Sequence, residues 1–127
     1  MATGRRWGLE ASEWAGAKES LRGLLRQAAR SGSTVTYGEA ANVAFDGRFS
    51  ARSGALMDLL GEVDDEEERA TGVMIASLVV RADTGMPGEG YWVFARDVLH
   101  RDVSDRAGFW RAEVEAVRAA YGGNEAP

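Results

Sequence analysis

Apolar residues at Trp14, Leu21, Leu24, Leu25 and Ala28 share one face of a helical repeat and predict a first helix. Ser12 is its expected N-cap, and Ser31-Gly32-Ser33 is its stop. Thr34 to Tyr37 is short and rich in β-branched residues, which marks one small strand. Thr36-Tyr37-Gly38-Glu39 then has the capping-box spacing, so a second helix should run through Phe45 and break at Asp46-Gly47-Arg48. A third helix, capped by Ser50, turns Leu56, Leu59 and Leu60 inward, with Val63 beyond, and meets a natural terminator in Gly61.

Two later runs read differently. Val73 to Val80 is continuously apolar and β-branched, and Tyr91-Trp92-Val93-Phe94-Ala95 is aromatic and β-branched. Each has the length of a strand and is short for a helix. Between them Arg81 to Gly90 carries turn residues throughout, so residues 73–95 are expected to form a β-hairpin with an enlarged loop. A last helix starts near Ser104 or Asp105, with Trp110, Val114, Val117 and Tyr121 on one face and an Arg111–Glu115 pair on the other. Gly122-Gly123 closes it, leaving residues 122–127 as a frayed tail.

Composition narrows the chemistry. The chain has 127 residues, which suits one domain over residues 1–127 with a core of its own. It has no cysteine, so disulfides, thiolate metal sites and cysteine nucleophiles are excluded. No apolar stretch approaches a membrane span, and Met1 to Trp7 has two arginines but no apolar run, so a soluble cytoplasmic protein without a secretory signal is expected. The net charge is −5, which argues against a general nucleic-acid binder. Its distribution is uneven: residues 1–61 hold eight basic and six acidic side chains, and residues 62–127 hold seven and fourteen. A basic face on an acidic protein is compatible with that split.

Helix, strand, helix, helix, strand, long loop, strand is an α+β order that resembles the winged helix. Residues 12–95 would supply its three-helix core, short strand and hairpin wing, and residues 104–121 an added C-terminal helix able to pack within the chain or across a homodimer. Thr36-Tyr37-Gly38-Glu39-Ala40, followed by Arg48 to Leu60, also resembles the lead-in to the helix-turn-helix of alkylguanine-DNA alkyltransferases and alkyltransferase-like proteins. Those families carry Pro-Cys-His-Arg, or Trp in place of Cys, just beyond. Here Met74-Ile75-Ala76-Ser77 stands near that place, with neither nucleophile nor histidine, so alkyl transfer is excluded. The segment from Leu78 to Phe94 resembles part of small bacterial proteins.

The winged-helix resemblance implies DNA readers at Arg48, Ser50, Arg52 and Ser53 near the start of the third helix, with Arg81 at the wing base. Lys18, Arg22, Arg26 and Arg30 follow at intervals of four and would add backbone-phosphate contacts. The acidic run Glu62 to Arg69 would repel DNA, and reads as a solvated loop or the first turn of a short helix. An alternative partner is a protein, held through Asp83, Met86, Glu89 and Tyr91 with Met86 exposed at the loop tip. His100 is the single histidine, flanked by Asp97 and Asp102 as orienting acids, and surface exposure is its simpler reading. The sequence predicts no metal, no cofactor and no catalytic constellation. It predicts a protein that binds.

Overall fold

The computed structural model describes residues 5–122, so the tail at residues 123–127 lies outside the described residues. Helix α1 spans Ala11–Ser31 and begins in a capping box made by Glu10 and Glu13, two residues before the expected Ser12 cap. It ends at Gly32, whose left-handed φ of 74° lets its N–H reach Ala28 O. Strand β1 (Val35–Thr36) leads directly into α2 (Tyr37–Phe45). The Thr36/Glu39 capping box is present in both directions, at 3.1 and 2.9 Å, as its spacing predicts.

The third helix departs from expectation. Helix α3 runs Gly54–Thr71, capped by Ser53 rather than Ser50, and passes through Gly61 and the whole acidic run. The run is therefore neither a solvated loop nor a new first turn. Leucines 56, 59 and 60, Val63, Asp64 and Glu67 all lie on its buried face. Carboxylates can lie there because α1 supplies their partners. Glu67 accepts from Arg22 at 2.7 Å and from Arg26 at 2.9 Å, and also takes the Tyr121 hydroxyl. Next to it, Glu66 accepts from Lys18 at 2.9 Å and from Arg22 at 2.5 Å, and one turn earlier Glu62 accepts from Lys18 and the Trp14 indole.

The expected hairpin over residues 73–95 does not form. Residues Ile75–Leu78 make one tight 3-10 turn, and Val79–Val80 is strand β2, paired parallel with β1 in the register Val35 to Val79 and Thr36 to Val80. Met74 to Val80 is buried throughout, the usual setting of a parallel strand covered on both faces. The last segment is helical: α4 (Glu89–Val93) runs on into a π-turn, Phe94–Val98. Tyr91, Trp92 and Ala95 are buried, and adjacent Tyr91 and Trp92 could not share one face of a strand. Trp92 stacks edge-on to Phe109 at 6.3 Å, with the Arg106 guanidinium 5.0 Å from its ring. Five residues are too few to reveal a period, so tertiary packing decided the conformation.

Helix α5 (Arg106–Gly122) closes the fold, burying Val114 and Val117 with Trp110 and Tyr121 half-buried beside them. Glu115 reaches Arg118 at 3.8 Å instead of the expected Arg111. The described architecture is α+β and mostly helical, with a two-stranded parallel sheet. No helix among the described residues is long and apolar enough to cross a membrane.

Removing Glu67 would leave Arg22, 12% exposed, without its main buried counter-charge. Glu67→Ala is therefore expected to cost about 3 kcal/mol in urea unfolding, and Arg48→Ala, an exposed pair partner, less than about 1 kcal/mol. Equal losses would mean that the α1–α3 seam contributes no more than a surface pair.

Candidate binding cleft and inner chamber

The β1–α2 junction and the loop after β2 build the site together. The loop folds on itself: Arg81 N donates to Met86 O at 2.9 Å and Gly85 N to Arg81 O at 2.8 Å, with Gly85 at a left-handed φ of 71°. Pro87 is buried, and Gly88 N donates to the Tyr37 hydroxyl at 2.8 Å. A Cβ on Gly88 would stand 3.3 Å from that oxygen, so glycine permits the close approach. Burial raises the Tyr37 hydroxyl's pKa, against the opposing effect of the Gly88 bond, and keeps it a neutral phenol.

Between this loop and the start of α3 lies an open cleft of about 550 Å³, lined by Tyr37, Arg52, Met57, Arg81, Asp83 and Glu89 among others. Arg52 is exposed and makes no ion pair with any described residue. Arg81 holds Asp83 through two bonds, at 3.0 and 2.8 Å, and Glu89 is held by Arg106 at 2.8 Å.

A smaller chamber of about 150 Å³ shares Tyr37, Met57 and Gly90 with the cleft and is also lined by Asp64, Tyr91 and Phe94. Asp64 is 1% exposed. Its Oδ1 accepts from Ala76 N at 2.8 Å, and its Oδ2 has no hydrogen-bond partner among the described residues. Burial pushes its carboxyl up to about 7; the Ala76 bond lowers it, Glu113 and Glu68 raise it further, and Arg101 opposes them. Around it, Ser77 and Tyr91 hydroxyls meet at 2.6 Å, Glu113 accepts from Met74 N at 2.8 Å, and the Trp110 indole donates to Ser77 O at 2.7 Å. The 3-10 turn is thus tied down by side chains from α3, α4 and α5.

Comparison with protein-family models, with curated proteins and with solved structures gives no match.

The expected DNA readers separate here. Arg52 and Arg81 both line the cleft. Ser50 accepts from Arg52 N and Ser53 caps α3, so both hydroxyls are committed to backbone. Arg48 is exposed and reaches Glu13 at 3.5 Å. Arg22 and Arg26, with Lys18, are turned onto the α3 carboxylates, leaving Arg30 as the exposed end of the ribbon. Of the alternative set, Asp83 and Glu89 lie on the cleft, but Met86 is half-buried against the core rather than at a free tip, and Tyr91 is buried. His100 is exposed with φ 56°. Among the described residues, no group of three or more His, Asp or Glu is arranged to hold a metal. Sequence reasoning missed Asp64 and Tyr37. Extending the four-residue spacing Leu56, Leu60, Asp64 past Gly61 would have placed the first on the inward face.

The pH response follows from opposite shifts. Burial opposes the charges of Glu62 and Glu67, but Trp14, Arg6 and Lys18 at the first, and Arg26, Tyr121 and Arg22 at the second, outweigh it and hold both at about 2. These depressed carboxyls stabilise the fold above their unfolded pKa, near 4, a contribution lost as pH falls toward 2. Asp64 acts the other way: its raised pKa favours the fold at low pH, and that advantage is lost as pH rises from about 4 through 7. Thermal melts should therefore peak near about pH 5, and Asp64→Asn should flatten the decline toward pH 8. A decline of unchanged steepness in the variant would remove Asp64 as its source.

Proposed function

We propose that the protein acts by binding, with the Arg52–Arg81 cleft as its site and one or two nucleotides of a nucleic acid as the occupant. The observation that carries this reading is Arg52, an exposed guanidinium without an ion pair among the described residues, lining the same cleft as Arg81 and Tyr37. Arginine's planar fork suits a phosphate, and the Tyr37 ring suits a base. The starts of α2 and α3 flank the cleft, and their N–H dipoles favour an anion. The pair α2–α3, joined by the segment 46–53, would serve as a helix-turn-helix-like core that works without a hairpin wing.

Neutralisation of Lys18, Arg22 and Arg26 limits the footprint. A long duplex needs a row of free cations, and α1 offers mainly Arg30. Single-stranded or terminal nucleotides fit the two-arginine cleft better. A second reading, a protein partner, is favoured by Met57 on the cleft wall, an exposed apolar side chain at 38%, beside acidic Asp83 and Glu89.

For two phosphate contacts the logarithm of affinity for a short single-stranded oligonucleotide should fall with the logarithm of salt at a slope of about −1.4. Arg52→Ala is expected to weaken binding about tenfold by fluorescence anisotropy and to halve that slope, since charged hydrogen bonds contribute about 1.5–3 kcal/mol. No binding at low salt, or an unchanged affinity in Arg52→Ala, would overturn the assignment.

A further inference from the structure

The chamber behind Tyr37 has a feature that its structural task does not require. Holding Ala76 N takes one uncharged acceptor, whereas Asp64, which lines this largely apolar chamber, brings a second oxygen that is buried and has no partner among the described residues. Burying such a group costs several kcal/mol unless something pairs with it. The wall itself suits a cation: Tyr37, Tyr91 and Phe94 line it with Met57, and aromatic faces attract ammonium groups. Its volume, about 150 Å³, is that of a cavity able to accept a benzene-sized ring.

We propose that this chamber is a binding subsite for an amine carried on a ring-sized group, the nitrogen pairing with the Asp64 carboxyl as that side chain turns toward it, while the ring lies among Tyr37, Tyr91 and Phe94. One donor is favoured over a two-pronged amidine because Oδ1 is already taken by Ala76 N. The charges facing Asp64 favour the same sign of ligand. Glu68 on α3 and Glu113 on α5 add negative potential, Arg101 after the π-turn subtracts from it, and the Tyr37 and Tyr91 phenols are held neutral. The subsite shares Tyr37, Met57 and Gly90 with the Arg52 cleft but does not depend on what the cleft holds. A ligand with an amino-bearing ring and an anionic group would fill both.

Benzylamine and toluene are the probes, followed by calorimetry and by amide shifts in NMR spectra of the full chain. Benzylamine should bind in preference to toluene, with shifts centred on Ala76, Tyr91 and Phe94. Its affinity should rise about tenfold from pH 6 to pH 8, because the amine stays protonated while Asp64 ionises. Asp64→Asn should lose the preference for benzylamine while keeping toluene affinity within about twofold. Equal binding of the two probes, pH-independent binding of benzylamine, or shifts centred elsewhere would each overturn the subsite. If the variant does not fold, the wild-type pH series decides. Failure of oligonucleotide binding leaves this result untouched, so the two assignments fail separately.

Discussion

The seam of guanidinium and carboxylate between α1 and α3 is the interaction on which the other features depend. An uninterrupted acidic stretch on a helix repels itself, and isolated it would favour an unfolded loop. Lys18, Arg22 and Arg26 recur at the same four-residue interval on α1, so each turn of α3 meets a cation. Glu67, with its side chain 3% exposed, is the most deeply placed member and also receives Tyr121 from α5. Three helices therefore converge on one carboxylate, and breaking it would leave buried charge on both sides.

Because the seam carries α3 past Gly61, the helix delivers Asp64 to the core, where it accepts the Ala76 amide. That bond, with Glu113 on Met74 N and Trp110 on Ser77 O, fixes the 3-10 turn ahead of β2. The turn in turn sets the parallel pairing of β2 with β1, and β1 runs straight into the helix bearing Tyr37. The cleft wall is thus reached from the seam through a short chain of hydrogen bonds. The loop from Arg81 to Gly88 completes it through Tyr37, a single contact joining segments 51 residues apart.

The same seam redistributes charge. A helix that looks basic in sequence is electrically occupied in the fold, and Arg52 is left facing the cleft. On the proposed reading, selectivity would rest on one free guanidinium, one shared guanidinium and the Tyr37 ring, with a buried carboxylate further in. Such a site would discriminate by shape and by a few paired charges rather than by a broad field.

The sequence alone determined what local chemistry can encode. Helix α1, the Thr36/Glu39 box, the short strand before it, the inward leucines of α3 and the face of α5 all follow from spacing over one or two turns. Three features were decided only in the tertiary structure. Tyr91 to Ala95 has the composition of a strand, yet it coils because Tyr91 and Trp92 must both face the core and Phe109 of α5. Gly61 did not stop α3, because the packing of Leu60 and Val63 and the ion pairs beyond outweigh the roughly 1 kcal/mol that a helical glycine costs. The acidic run, solvated in any local reading, became an internal surface because its counter-charges lie more than 40 residues earlier. Spacing along a chain reports the face a residue occupies; which face meets it is set by the packing of the other helices.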